Sequence, residues 1–114
     1  MPDFSLKQND QSPSIEYQLQ KSDGSARDIS GYNEVSFHMK NSPESSSTKV
    51  DDDTSGNVSV TDASNGKVKY EWQSGDTDTP GIFYAEWEVE LGSGDKETFP
   101  NTDHIVIRVH EEIA

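Results

Sequence analysis

The clearest structural signal in this chain lies in residues 82–91, which read IFYAEWEVEL. Apolar side chains occupy every second position of this run, from Phe83 to Leu91. A period of two is the repeat of a β-strand, whose successive side chains point to opposite faces. We therefore expect one face of this strand to enter a hydrophobic core and the other, formed by Glu86, Glu88 and Glu90, to face solvent.

Shorter runs with the same period occur along the whole chain. Their alternating apolar positions are Phe4 and Leu6; Ile15, Tyr17 and Leu19; Val35, Phe37 and Met39; Val58 and Val60; Val68, Tyr70 and Trp72; and Ile105, Ile107 and Val109. No stretch of a dozen residues shows the helical period, and β-branched and aromatic residues fill the runs. The pattern predicts an all-β fold in one domain over residues 1–114, an antiparallel β-sandwich of roughly seven to nine short strands.

Turn-forming residues separate the runs. Residues 22–25 read SDGS and residues 91–95 read LGSGD, and both are typical of hairpin loops. Asn65-Gly66 is the dipeptide that a type I′ hairpin turn favours, because both central residues of that turn need a positive φ. Residues 41–55 are rich in Ser, Pro and Asp, and they form the one segment in which we expect a long loop.

The charge balance is strongly acidic. The chain carries 22 acidic and 9 basic residues, which gives a formal net charge of -13. This charge disfavours nucleic acid and anionic membranes as partners. Salt at about 1 M would screen the self-repulsion, since the Debye length there is about 3 Å. We therefore expect either a protein of a high-salt, halophilic environment or an ordinary acidic, soluble one.

The composition also bears on sites and location. With no cysteine, the chain has no disulfide, no thiolate metal site and no thiol nucleophile. No apolar run approaches the roughly 18 residues of a membrane span, and Asp3, Lys7 and Gln8 interrupt the start, where a signal peptide would be apolar. We expect synthesis in the cytoplasm. Because hydrophobic residues make up only 29% of the chain, we also expect neighbouring chains to help hold it in an assembly.

Residues that carry chemistry in enzymes form no recognisable motif here. His38 is expected on a polar strand face, while His104 and His110 flank the last run. No nucleophile elbow, His-Glu-x-x-His pair or phosphate-binding glycine loop occurs. The three glutamates of residues 86–90 lie about 7 Å apart along one strand, whereas the carboxylate pairs of glycosidases flank the bond that they cleave. We predict that the protein is not an enzyme.

One acidic segment partly matches a calcium-binding loop. Asp51, Asp53 and Ser55 occupy its positions 1, 3 and 5, Gly56 follows at position 6, and Asp62 occupies position 12. Alternate oxygen side chains would converge on the ion while the glycine makes the sharp turn. Position 12 is Asp where a bidentate Glu is usual, and neither flank has a helical pattern. The competing interpretation is an acidic loop that leads into a strand, with no cofactor bound.

Residues 67–89 read KVKYEWQSGDTDTPGIFYAEWEV, in which two strands flank the turn DTDTPG. Upstream, residues 4–10 (FSLKQND) precede the strand IEYQL, and downstream residues 96–101 (KETFPN) lead into the last strand. Together these segments resemble the N-terminal domain family of phage baseplate upper proteins, an immunoglobulin-like β-sandwich of tailed viruses. In the turn, we expect Asp76 and Asp78 to accept backbone N–H bonds and the hydroxyl of Tyr84 to tie the loop to its strand.

The resemblance implies a non-enzymatic virion structural protein that acts by docking to other virion proteins. Baseplate proteins carry further domains after this one, whereas this chain ends at Ala114, so capsid decoration or a spike or fibre adaptor are further expectations. The implied location is the virion of a tailed virus, with a haloarchaeal virus as the high-salt case. The implied assembly is a homo-oligomer, first of all a trimer. The alternative function is a carbohydrate- or calcium-binding, adhesin-like module.

Overall fold

The computed structural model describes residues 3–12, 14–42, 48–100 and 105–113. Within these ranges the chain forms nine β-strands, one short 3-10 turn (Ala63–Asn65) and no α-helix. The strands are β1 (Asp3–Lys7), β2 (Ile15–Gln18), β3 (Glu34–Lys40), β4 (Val50–Asp53), β5 (Val58–Asp62), β6 (Lys67–Tyr70), β7 (Gly81–Glu90), β8 (Lys96–Phe99) and β9 (Ile105–His110). No helix in the described ranges is long and apolar enough to cross a membrane.

The strands are divided between two sheets. The larger sheet has the order β1-β9-β7-β3-β4, with β8 also paired to β7, and the smaller sheet has the order β2-β6-β5. All of these pairs are antiparallel except β1 and β9, which run parallel. The predicted all-β sandwich is confirmed. The alternation pattern could not reveal the parallel pair, because side chains alternate in the same way in both kinds of pairing.

The core is built from alternate residues of the strands. The inward residues of β7 are at most 5% exposed, as predicted: Phe83, Ala85, Trp87 and Val89. The ring of Phe37 on β3 lies 4.7 Å from that of Trp87 and 4.9 Å from that of Tyr70 on β6, measured between centroids. Each large side chain removed from water contributes about 1.5–3 kcal/mol. Aromatic packing between the sheets is therefore a main source of stability in a chain that is poor in apolar residues.

Two strands occur where the sequence did not predict them. β4 lies inside residues 41–55, so the prediction of a long loop there is wrong for residues 50–53; residues 43–47 lie outside the described ranges. β8 pairs with the last part of β7. Each of these short strands buries a single apolar side chain, Val50 in β4 and Phe99 in β8. One buried residue per strand leaves no period to detect in the sequence.

The β5–β6 hairpin closes with a different turn from the one predicted. Asn65 ends the 3-10 turn and does not have a positive φ, so the prediction of a type I′ turn is wrong. Gly66 alone is left-handed, with φ at 64°, and its N–H donates to the Ala63 carbonyl over 3.1 Å. The two other predicted turns are present. Leu91 N–H donates to the Asp95 carbonyl over 2.8 Å, and residues 21–25 are closed by a similar bond.

β8 and β9 pair with the same strand, β7. Trp87 lies opposite Phe99, and Ala85, two residues earlier in β7, lies opposite Ile105. Residues 101–104 lie outside the described ranges, and they include His104, which the sequence placed beside the last strand.

Candidate functional site on the outer face of the larger sheet

The residues of the predicted calcium loop lie in three different elements. Asp51 and Asp53 belong to β4, Ser55 lies in the following turn, and Asp62 ends β5. β4 is part of the larger sheet and β5 is part of the smaller one. The five residues of β5 carry Asp62 about 13 Å away from the turn. The chain therefore crosses between the sheets here instead of wrapping around a common centre.

Two of these carboxylates are engaged in turns of their own. Asp53 accepts hydrogen bonds from the N–H (2.9 Å) and the hydroxyl of Ser55. Asp62 accepts bonds from the Ser64 hydroxyl (3.0 Å) and the Asn65 amide (2.8 Å). Among the described residues, no three His, Asp or Glu side chains are grouped so that they could hold a metal ion. This arrangement does not fit an ion held by the four predicted ligands, and calcium binding stays a prediction.

The pattern Asp-x-Ser explains many of the acidic turn residues. It occurs in turns at Asp23-Gly-Ser25, Asp28-Ile-Ser30, Asp53-Thr-Ser55 and Asp62-Ala-Ser64, and the same spacing recurs at Asp3-Phe-Ser5 in β1 and at Asp10-Gln-Ser12. In the first three, the serine N–H donates to the aspartate Oδ1 over 2.8–2.9 Å, the geometry of an Asx turn. These serine bonds hold the pKa of each of the three carboxyls below its usual value. The repeated spacing was visible in the sequence and could have identified these residues as turn formers.

His38 lies between two carboxylates on the outer face of the larger sheet. Its cross-strand neighbours are Asp51 on β4 and Glu86 on β7, which confirms the predicted polar strand face. The His38 Nδ1 is 3.0 Å from Asp51 Oδ1. His110 is exposed at the end of β9 and lies outside this row. Neither described histidine is paired with a serine hydroxyl in the way that a hydrolytic triad requires.

Glu86, Glu88 and Glu90 lie on the outer face of β7, as the alternation predicted. All three are half-buried, because each is flanked by a residue on the neighbouring strands. Glu88 lies between Ser36 and Thr98, and Glu90 is opposite Glu34 and Lys96. The glutamates therefore form part of a continuous polar sheet surface, and no second acidic strand faces them across a cleft among the described residues.

Charge on this outer face is divided along the strand direction. Around the second half of β7 the cross-strand register gathers carboxylates, and we call this region the acidic half: Glu34, Asp51, Asp53, Glu86, Glu88 and Glu90, with the single cation Lys96. Around the first half of β7 it gathers cations and apolar groups, and we call this region the basic half: Lys7, Lys40, Arg108, Ile82, Tyr84 and Val106. Asp10 and Glu112 line one depression with Lys7, and Asp3 lies opposite Val106 in the register, so acidic residues also occur at the margin of the basic half.

The loop between β6 and β7 is held by one carboxylate. Asp76 accepts the hydroxyl of Tyr70 (2.5 Å) and the N–H of Gln73 (2.8 Å), so the predicted backbone bond to Asp76 is confirmed. Burial and this carboxylate raise the pKa of Tyr70. Asp78 instead binds the Lys49 ammonium over 2.6 Å. No sequence signal pointed to the hydroxyl bond of Tyr70, because the alternating apolar pattern already explained this residue as part of the core.

The aromatic side chains do not form an exposed binding platform. The buried ones are Phe37, Tyr70, Trp72, Phe83, Trp87 and Phe99, and the half-buried ones are Phe4, Tyr17, Tyr32 and Tyr84. Carbohydrate-binding modules that stack sugars on rings need at least one exposed aromatic face. Together these rings account for all ten aromatics of the chain, and carbohydrate binding stays a prediction.

The strand order defines the class of the fold. A larger sheet with the order β1-β9-β7-β3-β4, packed on a smaller sheet with the order β2-β6-β5, is an immunoglobulin-like β-sandwich. No family model matches the chain, and no curated protein matches it. Among solved structures, one of murine CRIg aligns with 98% of this chain and 93% of that chain, at 10% sequence identity and a TM-score of 0.41.

Proposed function

We propose that this chain is a non-enzymatic structural protein of a tailed-virus particle, in which it docks to other virion proteins as a tail or baseplate component, a capsid decoration or a spike or fibre adaptor. The virion setting comes from the resemblance of residues 67–89, and its neighbours, to the N-terminal domain of baseplate upper proteins. The observation that carries the docking role is the broad outer face of the larger sheet, on which the cross-strand register gathers the six carboxylates of the acidic half.

The hydrogen-bond contacts of the polar side chains support a non-enzymatic role. Most of the acidic groups that the sequence singled out make local turn or cross-strand contacts, as Asp53, Asp62 and Asp76 do. A catalytic site needs convergent groups around a concave pocket. The larger depressions among the described residues are open and are lined by dispersed side chains, such as Gln18, Thr61 and Lys67 on the smaller sheet.

The experiment that tests this function is analysis of purified virus particles. An antibody raised against the recombinant chain should label gradient-purified particles, and mass spectrometry should detect the chain at a fixed stoichiometry relative to the major capsid protein. Immunogold labelling would then assign it to the tail or the capsid. If the chain is expressed in infected cells but is missing from intact particles, the proposed function is wrong.

A further inference from the structure

The motif Asn65-Gly66 has a chemical property that the proposed function does not use. It is the only Asn-Gly pair in the chain. In such a pair the glycine nitrogen can attack the side-chain Cγ of the asparagine, because no Cβ on the glycine obstructs the approach. The N–Cγ bond forms, the Cγ–Nδ2 bond breaks, and the amide nitrogen leaves as ammonia with the proton of the glycine N–H. Water then opens the succinimide ring at either carbonyl and leaves aspartate or isoaspartate.

The folded turn holds the attacking nitrogen away from this reaction. The Gly66 N–H donates to the Ala63 carbonyl over 3.1 Å, and the Asn65 carbonyl accepts the Gln18 amide over 3.1 Å. Both ends of the peptide group between Asn65 and Gly66 are therefore bonded, and Gly66 is buried. Asn65 ends the 3-10 turn, in which ψ is about −20 to −30°. Ring closure requires a large rotation about that bond, which would break both hydrogen bonds.

The side chain under attack is held as well. Asn65 Nδ2 donates to Asp62 Oδ2 over 2.8 Å, and the Ser64 hydroxyl donates to the other oxygen of the same carboxylate over 3.0 Å. This fixes the direction of the Asn65 amide. Attack at Cγ also places negative charge on the amide oxygen, and the neighbouring carboxylate of Asp62 opposes that charge. Geometry and electrostatics both disfavour the reaction while the turn is closed.

Neither product fits the closed turn. Isoaspartate lengthens the main chain by one methylene group directly before Gly66. A Cβ added at Gly66 would already lie 2.5 Å from the Arg27 carbonyl oxygen and 2.9 Å from that of Leu19, so the backbone has no room to shift. Aspartate replaces the donor that faces Asp62 with a second carboxylate, and the two like charges repel each other.

We propose that Asn65 is a site of spontaneous deamidation that the folded turn keeps closed, and that modification prevents this turn from re-forming. The reaction then proceeds from the opened β5–β6 hairpin, and its rate follows the population of the opened state. Each opening that ends in modification is permanent, so the smaller sheet loses its turn progressively over the lifetime of the chain. This modification does not depend on the proposed virion role, and a failure of either leaves the other standing.

Peptide mapping by mass spectrometry tests the protection. The full chain is incubated in mildly alkaline buffer with and without about 8 M urea, which opens the turn. Modification of Asn65 should be at least about a hundredfold slower in buffer, because the closed turn opens rarely. In urea, Asn65 should be modified faster than Asn33 and Asn57, since these are followed by Glu and Val, whose side chains obstruct the attack.

Two variants remove the bonds that hold the turn and leave the Asn-Gly pair intact. Asp62→Ala frees the Asn65 amide, and Gln18→Ala frees the Asn65 carbonyl. Each should accelerate modification at least about fivefold in buffer and leave the rate in urea unchanged, because only the opening equilibrium differs. Asp53→Ala is the matched control, since it removes the same charge from the turn before β5. Its rate should stay within about twofold of wild type.

The modified chain tests the second part of the proposal. It is separated from the unmodified chain by anion exchange after treatment in urea, because modification adds one negative charge. On return to buffer its unfolding midpoint in urea should be lower than that of the unmodified chain.

Three results would overturn the proposal. One is an equal rate of Asn65 modification in buffer and in urea, and another is an equal acceleration by Asp62→Ala and Asp53→Ala, which would trace protection to global stability. The third is an unchanged midpoint of the modified chain, which would show that the turn re-forms.

Discussion

Gly66 shows how a single residue allows two segments of backbone to meet. A Cβ at this position would lie 2.5 Å from the Arg27 carbonyl oxygen and 2.9 Å from that of Leu19. The Leu19 N–H donates to the Gly66 carbonyl over 2.8 Å, and the Arg27 N–H donates to the Leu19 carbonyl over 2.8 Å. The absence of a side chain therefore lets the turn of the smaller sheet pack directly on the segment that follows β2.

Gly66→Ala should lower the free energy of unfolding by about 2–5 kcal/mol. A left-handed conformation costs a non-glycine residue about 1–2 kcal/mol, and overpacking against backbone adds about 1–3 kcal/mol. Gly24→Ala is the matched control, because Gly24 also has a positive φ, at 89°, but no atom lies within 4 Å of its added Cβ. Urea denaturation measures both losses, and equal losses in the two variants would show that the close approach does not matter.

At the scale of the element, the turns are stabilised by carboxylates and the strands by apolar side chains. β4 and β5 belong to different sheets, and the turn between them is closed by Asp52 and Asp53. The Asp52 carboxylate accepts the N–H and the side-chain amide of Asn57, over 3.2 and 2.8 Å. The acidic segment that resembles a calcium loop is thus a crossover between sheets, in which aspartates take up backbone donors.

The turn at Asp53 should lose its contribution to stability in acid. The Ser55 hydroxyl and N–H hold the pKa of Asp53 below its usual value, so folding is favoured by the ionised form. That contribution is complete above the unfolded value of about 3.9 and disappears as the pH falls through the folded value. Asp53→Ala should therefore be less stable than wild type at pH 7, and the difference should shrink as the pH is lowered below about 3.9.

Asp10→Ala is the control for this measurement. It removes the same charge from an exposed position. The Asp10 carboxylate accepts no hydrogen bond from a serine two residues later, as the Asp53 carboxylate does. Its effect at pH 7 should be within about 0.5 kcal/mol of zero, the range of ordinary surface substitutions. A destabilisation by Asp53→Ala that stays constant between pH 7 and pH 2 would contradict the assignment to the ionised turn.

Calcium should not stabilise this crossover appreciably. The carboxylates of Asp53 and Asp62 each accept hydrogen bonds from residues of their own turn. Binding an ion would require these hydrogen bonds to be broken. At 5 mM calcium we expect a change in melting temperature of less than about 1 °C and no saturable heat in isothermal titration calorimetry, with magnesium as the ionic control. A saturable heat that disappears in Asp53→Ala would show that the loop does bind calcium.

At the scale of the whole molecule, repulsion between the acidic side chains opposes the stabilisation that the hydrophobic core provides. The chain carries a net charge of -13 on a domain whose core depends on a small number of aromatic and branched residues. Ion pairs such as Arg27 with Glu97 (2.8 Å) and Lys49 with Asp78 (2.6 Å) join segments far apart in the chain but leave most carboxylates unneutralised. Screening of this surplus by salt should therefore affect stability strongly.

The melting temperature should rise by at least about 4 °C between 0.1 M and 1 M KCl. This rise corresponds to roughly 1 kcal/mol for a domain of this size, and it follows from a Debye length that falls from about 10 Å to about 3 Å. A variant with Glu71, Glu111 and Glu112 changed to Gln has less charge to screen and should show a smaller rise. A flat response up to about 3 M would remove the basis for a high-salt environment.

Period-two alternation correctly located seven of the nine strands, because each of them carries at least two apolar residues at alternate positions. β4 and β8 left no such trace, since each has one buried apolar residue and depends on its neighbours for its conformation. The parallel pairing of β1 with β9 and the turn at Gly66 likewise depend on contacts between segments distant in the chain.

The all-β class, the inward side of each long strand and the surplus of negative charge were already contained in the order and kinds of residues. The gathering of carboxylates in the acidic half was not, because Glu34, Glu90 and Lys96 come from three strands that meet only through cross-strand register. Hydrophobic periodicity is a short-range property of a chain, whereas a surface arises where segments far apart in sequence are aligned by backbone hydrogen bonds.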